Sequence, residues 1–307
     1  MSILGGFTGT SHCAKALCES TGYLDPVEAI RFRSLRLIGE AQIKNPPFSP
    51  FVLSSRLGVR SVVFSPIGFD ACLLPVTGGY EVQICSAHSR VRQNFSMAHE
   101  LGHIFFFEVT GSPKAARRET RIGMNKRDHE EEFLCDYAAS ELLMPSTHFF
   151  RDVRNFGPSI ASLFELASRY QTSLQATAIK FAEMGLWKCA FVHWRSTVGN
   201  SSIDFEVESC TKLGGLRLPI CKGIRLSDKK HLAAAVESGK TIRGRESFRL
   251  GNIEETYYIE SIRLGSKSSP RVLSMIFADG YAEHFAYSSY RQFMRGKKQK
   301  EMFESDE

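Results

Sequence analysis

The sequence lacks the features that mark disulfide-bonded, cysteine-zinc, membrane-spanning and secreted proteins. Its 307 residues include eight cysteines, but none forms a Cys-x-x-Cys pair, which argues for reduced thiols rather than a disulfide framework or a zinc-cysteine site. No apolar run approaches the roughly 18 residues that a membrane helix needs, and the N-terminus has no basic segment leading into a long apolar one. We therefore expect a cytoplasmic protein with no membrane span.

The composition is that of a folded protein. Hydrophobic residues make up 43% and charged residues 23% of the chain, far from the low hydrophobicity and high charge of disordered chains. At about 150 residues per domain, the length predicts two domains, or one with a large appendage. The net charge of +6 is too small to indicate nucleic-acid binding by itself.

The first 150 residues have the pattern of a small sheet among helices. A helix is predicted over 25–44, and the stretch 51–87 is rich in β-forming residues with a hairpin turn at Thr77-Gly78-Gly79. Helical periodicity returns over 96–107 and 130–143. We predict an α+β domain spanning residues 1–150.

A different pattern follows residue 150. Two short helices, at 158–170 and 174–184, predict a bridge over 151–185 that resembles a helix-turn-helix. Residues 186–290 contain four predicted strands and one helix near 228–239, which indicates a second α+β domain. Residues 291–307 form a charged tail.

The motif His99-Glu100-x-x-His103 is the strongest functional signal. On a helix, residues four apart lie on one face, so both imidazoles can reach one metal ion. Glu100 is rotated by about 100° from His99 and can accept a proton from a bound water without binding the metal. Gly102 is costly in a helix interior, which indicates that another element packs closely there.

A third ligand must come from elsewhere in the chain. The metzincin extension places Gly and His three and six residues after the motif, but this chain has Phe106 and Val109. A catalytic zinc site takes three protein ligands and leaves one position for water. We therefore look for a carboxylate on the second helix.

The second helix offers Glu130, Glu131 and Glu132, followed by Asp136. An acidic first turn also complements the helix dipole, which accounts for some of these residues. Helical phase places Glu132 and Asp136 on the same side, so Glu132 is the preferred ligand and Glu131 the alternative. This Glu-x-x-x-Asp spacing resembles the glutamate-zincins, in which the Asp orients a metal-bound histidine.

Two segments resemble the ImmA/IrrE-type metallo-endopeptidases. RQNFSMAHELGHIFF and EEFLCDYAASELLMP look like the two metal-binding helices of that family, and FGPSIASLFELASRYQTSLQATAIKFAEM resembles the helices that follow in its IrrE branch. The similarity covers about residues 75–185. It implies a zincin-like fold, a GAF-like second domain, His99, His103 and Glu132 as metal ligands, Glu100 as general base and Asp136 as partner of a ligand.

The resemblance also implies a function. Relatives inactivate a helix-turn-helix repressor, often by a limited cut, and release stress-response or mobile-element genes. We expect a zinc-dependent endopeptidase, with Mn2+ as the alternative metal because this ligand set does not choose strictly between divalent ions. The sheet edge near residues 82–86 is a candidate for binding substrate as an added strand. Candidates for stabilising the oxyanion are His88, His129, Tyr137 and His148.

Two alternatives come from other classes. The helix pair within 151–185 could bind DNA, but its second helix offers only a weak set of contacts, Lys180 among them. A catalytically silent ligand sensor could instead use aromatic residues of the second domain to line a pocket: Trp194, Phe205, Tyr257, Tyr258 and Phe277.

Overall fold

The computed structural model divides the chain into two compact units. It describes residues 11–111, 116–117, 126–198, 203–212, 216, 218–227, 229–250, 253–265 and 270–277. Unit 1 spans Met1–Phe149 and Ala167–Ala176, and unit 2 spans Phe150–Leu166 and Thr177–Glu307. Parts of the predicted bridge, 151–185, thus belong to each unit. The domain boundaries at 150, 185 and 290 stay a prediction, and the tail 291–307 lies outside the described residues.

The α+β class is confirmed by the order of the elements. Unit 1 contains helices and four strands, in the order α1 (His12–Thr21), α2 (Pro26–Glu40), α3 (Pro50–Ser54), β1 (Val59–Ser65), β2 (Ala71–Val76), β3 (Gly79–Cys85), α4 (Arg90–Thr110), β4 (Ala116–Arg117) and α5 (Lys126–Leu143). The residues of three further helices are divided between the two units: α6 (Ser146–Phe156), α7 (Ile160–Tyr170) and α8 (Leu174–Glu183). None of the helices in the described ranges is long and apolar enough to cross a bilayer.

The sheet of unit 1 has the strand order β1-β3-β2-β4. The predicted hairpin is confirmed, since β2 and β3 pair antiparallel from Val76 opposite Gly79 across the turn. Strand β1 pairs parallel to β3 on its other side. Gly79 is needed at this junction, because a Cβ there would lie 2.0 Å from the carbonyl oxygen of Gly58.

The prediction that residues 82–86 form an open sheet edge is wrong. Strand β3 contains most of that segment and lies between two neighbours, so its backbone groups are already paired on both sides. The error has a physical cause. Alternating β-forming residues reveal a strand, but the parallel partner is brought to it by a crossover that no local pattern describes.

The first helices of unit 1 agree with the sequence prediction at α2 and differ from it at α1 and α3. Asp25 caps α2 by accepting a hydrogen bond from the Val27 amide at 2.9 Å, and the helix ends at Glu40 rather than residue 44. Helix α1 was not predicted. The β-rich segment that was predicted from residue 51 begins instead with the short helix α3, where Pro50 occupies a first-turn position that needs no amide proton.

Helices α4 and α5 approach each other closely at Gly102. A Cβ at this position would lie 3.0 Å from the Cα of Cys135 and 3.2 Å from the Cβ of Ala138. This confirms that another element packs closely against the glycine. Helix α4 is longer than predicted, since it begins after Ser89 and ends at Gly111, whose amide donates to the carbonyl of Phe107 at 2.9 Å.

Unit 2 is built on a six-stranded antiparallel sheet. The strands, and the helix that lies among them in the chain, are β5 (Cys189–Val198), β6 (Ile203–Lys212), β7 (Arg225–Leu226), α9 (Lys230–Ser238), β8 (Ile242–Leu250), β9 (Ile253–Leu264) and β10 (Arg271–Phe277). The strand order in the sheet is β7-β6-β5-β10-β9-β8. The sequence predicted α9 and four of the strands. It missed β7, which is very short, and β8, which is rich in charged residues.

The aromatic residues of unit 2 mainly contact one another. Trp194 stacks on Phe248 with ring centroids 6.0 Å apart, and Phe248 in turn lies 6.1 Å from Tyr257. Trp194, Phe248 and Tyr257 belong to one buried apolar cluster, and Phe277 is also buried. These side chains fill a core, so their presence in the sequence does not by itself indicate a ligand pocket.

Replacing Gly102 by Ala should destabilise the protein. The new Cβ meets backbone rather than the end of a flexible side chain, so the helices must separate, and we expect the free energy of unfolding to fall by about 1–3 kcal/mol. Gly39 in α2 is a matched control, because a Cβ there meets nothing within 4 Å. Gly39→Ala should be neutral or stabilising by up to about 1 kcal/mol. Equal effects of the two changes in urea denaturation would contradict the close approach.

Candidate metal centre

Helix α4 places two imidazoles side by side. The rings of His99 and His103 lie with their centroids 5.0 Å apart, and both residues are buried, with 1% and 4% exposure. Their spacing of four residues puts them one turn apart on the same helix face. The structure therefore brings the two motif histidines together as the sequence predicted.

Glu132 on α5 faces both imidazoles. Its Oε2 lies 3.3 Å from His99 Nε2, and its Oε1 lies 3.4 Å from His103 Nε2. The Glu132 side chain is 22% exposed, so the group of donor atoms is reached from solvent on this side. An accessible position is what a catalytic metal site requires and a structural one does without.

The other ring nitrogens are also in contact with polar groups. His99 Nδ1 lies 2.9 Å from Asp136 Oδ1, which is the contact expected from the Glu-x-x-x-Asp spacing. His103 Nδ1 lies 3.5 Å from Glu131 Oε1 and 3.4 Å from Cys135 Sγ. A carboxylate on the far nitrogen keeps the proton there and leaves the lone pair on Nε2.

This arrangement fits a bound cation. With the proton of His99 on Nδ1, its Nε2 carries a lone pair toward a carboxylate that also only accepts. His99 Nε2 is buried and makes no hydrogen bond within the described residues, although Glu132 is close. Two acceptors facing each other repel, and a divalent cation between them removes the repulsion. The residues present therefore fit a metal with nitrogen and oxygen ligands.

The imidazoles and the nearby acidic side chains shift one another's pKa values. Burial acts to lower the pKa of His99, but Asp136 and Glu132 raise it above its ordinary value. Burial likewise opposes protonation of His103, but its contacts with Cys135, Glu131 and Glu132 raise its pKa well above the ordinary value. For Glu132, burial acts to raise the pKa, but the two histidines hold it well below its usual range. Glu132 is therefore a carboxylate at neutral pH.

Cys135 is a competing donor. The side-chain donors of His99, His103 and Cys135 lie within 4.8 Å of one another, so this trio could also hold a metal ion. Burial raises the pKa of the Cys135 thiol to about 12, whereas a metal ligand must be a thiolate. Cys135 also lies on the Nδ1 side of His103, away from the Nε2 atoms that face Glu132. Geometry and charge together favour Glu132.

Glu100 lies beside the histidine pair. It follows His99 directly on α4, is 1% exposed, and its charge contributes to raising the pKa of His99. The predicted general base is thus buried next to the donor atoms. Glu100 and Glu132 lie on different helices, α4 and α5.

The structure also shows contacts that the sequence did not reveal. Glu131, considered only as an alternative ligand, contacts the far nitrogen of His103. Of the oxyanion candidates, His88 lies 3.4 Å from Asp70, and Tyr137 donates a hydrogen bond to Glu141 at 3.1 Å.

His148 packs edge-on against Phe48 with the ring centroids 5.0 Å apart, and His129 is exposed. None of these contacts indicates an oxyanion role, which stays a prediction for all four residues.

A histidine pair on one helix, faced by a glutamate from the next, is the arrangement of a zincin-type metallopeptidase domain. Residues 69–182 match the family model Peptidase_M78, described as an IrrE N-terminal-like domain. The match confirms the resemblance of this part of the chain to the ImmA/IrrE proteins. The family is of the metallopeptidase type and includes regulators.

A solved structure has a related fold. A Mycobacterium tuberculosis transcriptional regulator superimposes with a TM-score of 0.53 at 12% sequence identity, covering 89% of this chain and 95% of that chain. At this identity the likeness concerns the fold alone. No curated protein is significantly similar to the chain.

Replacing Glu132 by Ala should weaken zinc binding by more than about 100-fold, beyond the roughly 10- to 100-fold loss typical of a residue that only orients a ligand. Cys135→Ala is the matched test of the competing donor, since both residues lie on α5 and flank the same imidazole. We expect it to change zinc affinity little. Competition titration with a chromophoric chelator measures both, and the reverse ranking would show that the thiol is the ligand.

Metal binding should weaken as the pH falls. The pKa values of both histidines in the metal-free protein are raised, so protons occupy the imidazoles at a higher pH than in a free peptide. Each imidazole must lose its proton to bind a cation. Zinc affinity should therefore already decline between about pH 8 and about pH 6, around the ordinary histidine value. Titrations that give a constant affinity across this interval would contradict the assignment.

Proposed function

We propose that the protein is a metal-dependent endopeptidase that makes a limited cut in a helix-turn-helix repressor in the cytoplasm. His99, His103 and Glu132 hold the metal, Asp136 orients His99, and Glu100 is the general base. The observation that carries this proposal is the convergence of two imidazole Nε2 atoms on one carboxylate, at 3.3 and 3.4 Å. Zinc is the preferred ion, with Mn2+ as the alternative.

A divalent cation, when bound, supplies Lewis acidity that polarises a peptide carbonyl and acidifies water. The chain itself supplies the proton transfer. A carboxylate oxygen of Glu100 takes a proton from the attacking water and returns it to the nitrogen of the leaving amine. The buried position of Glu100 limits competition from bulk water for this proton.

Asp136 has a supporting role in the same proposal. Its contact of 2.9 Å with His99 Nδ1 fixes the proton on that nitrogen and the orientation of the ring. The lone pair of Nε2 is then directed toward Glu132 before any ion arrives. Such preorganisation raises metal affinity because less ordering is needed on binding.

The repressor substrate is inferred from the family. Unit 2 is the proposed regulatory domain, of the GAF-like kind that follows the peptidase helices in the IrrE branch. Its six-stranded antiparallel sheet with a helix is the type of α+β architecture that this proposal requires. Gating of the peptidase by unit 2 would need a ligand that favours one state of the protein.

Direct DNA binding is less well supported than the peptidase function. Lys180, the basic residue that the second helix of the pair offers for a phosphate contact, is 0% exposed, and its ammonium lies 3.6 Å from Glu183. Thr177 on the same helix is also buried. Phosphate contacts require exposed basic side chains, which these residues do not provide.

The proposal is tested by incubating the full chain, loaded with zinc or with manganese, with helix-turn-helix repressors from the same source. One repressor should be cut at a single position, as read by intact mass and N-terminal sequencing. Glu100→Gln should lower the cleavage rate by about 100- to 10,000-fold while leaving repressor binding intact. Glu108→Gln, which removes a partly exposed carboxylate from the same helix, is the control and should cut normally.

The regulator alternative gives a different result. If the wild type and Glu100→Gln both bind one repressor and neither cuts it, the protein acts as a binding module rather than as a peptidase. If the protein binds DNA with a steep salt dependence that Glu100→Gln does not alter, the helix pair binds DNA despite the burial of Lys180 and Thr177.

A further inference from the structure

Glu131 connects the metal centre to the N-terminal helix. Its Oε1 lies 3.5 Å from His103 Nδ1, and its Oε2 accepts a hydrogen bond from Cys13 Sγ at 3.3 Å. Cys13 lies in the first turn of α1, far from Glu131 in sequence. A chain of contacts therefore runs from α1 through one carboxylate to an imidazole of the centre.

The position of α1 beside this carboxylate is held by a second contact. Glu130 Oε2 accepts a hydrogen bond from the backbone amide of Ser11 at 2.7 Å, and both residues are buried. Ser11 also caps α1, since its hydroxyl accepts a hydrogen bond from the Ala14 amide at 3.2 Å. The start of α1 is thus fixed on α5 at the residue next to Glu131.

Two groups compete for the proton on His103 Nδ1. Cys135 Sγ lies 3.4 Å away, an ordinary distance for a hydrogen bond to sulfur, and Glu131 Oε1 lies 3.5 Å away, at the long limit for one to oxygen. Sulfur in a neutral thiol is a weak acceptor, whereas a carboxylate attracts the proton through its charge as well. The charge of the Glu131 carboxylate therefore favours the proton of His103 on Nδ1, although the contact is long.

We propose that Glu131 is a positioning residue for His103 and that Cys13 of α1 holds the Glu131 carboxylate in place. The proposal rests on the proposed metal centre and deepens it. Glu131 does for His103 what Asp136 does for His99. Helix α1 lies before residues 69–182, so a complete metal centre would need a segment outside the matched domain.

The test measures metal binding by the full chain rather than peptidase activity. Zinc affinity is measured by competition, and the visible spectrum of bound Co2+ reports the ligand field. Glu131→Ala should weaken zinc binding by roughly 10- to 100-fold and shift the Co2+ bands. Glu131→Gln keeps an acceptor oxygen and should lose less affinity. Cys13→Ala should lose less affinity than Glu131→Ala, with a shift of the same bands.

Two matched variants control for loss of structure. Glu141 is a buried carboxylate ten residues beyond Glu131 on α5, about 15 Å away along the helix axis, where it accepts hydrogen bonds from Tyr137 and Ser146. Glu141→Gln should lower thermal stability but leave zinc affinity and the Co2+ spectrum unchanged. Cys18→Ala, on the same helix as Cys13, should also leave both unchanged.

The outcomes separate the two proposals. If the wild type binds zinc and Glu131→Ala binds it equally well with the same Co2+ spectrum, the positioning role is overturned and the metal centre stands. If Glu131→Ala and Glu141→Gln weaken binding equally, the effect is a general loss of structure and the role is likewise overturned. A wild type that binds neither ion overturns the metal centre and this inference with it. Should Glu131→Ala not fold, Glu131→Gln and Cys13→Ala provide the test. Unchanged zinc affinity and an unchanged Co2+ spectrum in both variants would overturn the positioning role.

Discussion

The close approach of α4 and α5 at Gly102 is the constraint on which the candidate centre depends. Only a residue without a Cβ lets the backbone of Cys135 come this near, and the imidazoles and Glu132 project from the two helices on either side of that contact. A shift of the helices by a fraction of an ångström would change every donor distance. The contact at Gly102 therefore sets both the separation of the two helices and the distances between the donor atoms of the candidate centre.

The charge arrangement around the histidines costs stability unless something compensates for it. Glu100, Glu131, Glu132 and Asp136 all lie in or next to the contact between the helices, and most of this charge is at least partly buried. Proteins rarely bury such a set without a cation, since burying unpaired charge is unfavourable. The raised pKa values of the two histidines have the same cause, because a proton on an imidazole partly neutralises the nearby carboxylates. This surplus of negative charge is the physical reason to expect a metal.

The residues that face the two histidines could be predicted from sequence, whereas the contacts of Glu131 and the partner strand of β1 could not. The spacing of His99 and His103 sets their common face, and helical phase placed Glu132 near Asp136. The same phase could not show that Glu131 contacts the far nitrogen of His103 or that its other oxygen accepts from Cys13 of α1, a helix with no strong sequence signal. The parallel pairing of β1 with β3 was missed for a similar reason. Strand β8 was missed because its charged residues, such as Arg243 and Arg245, hide the alternation typical of a strand.

X-ray absorption at the zinc edge of the loaded protein tests the central claim most directly, because it identifies the ligand atoms without an assay of activity. The account predicts two imidazole nitrogens at about 2.0–2.1 Å, with oxygen completing the shell and no sulfur. A sulfur ligand at about 2.3 Å would contradict it, since Cys135 would then hold the ion and Glu132 would have another role.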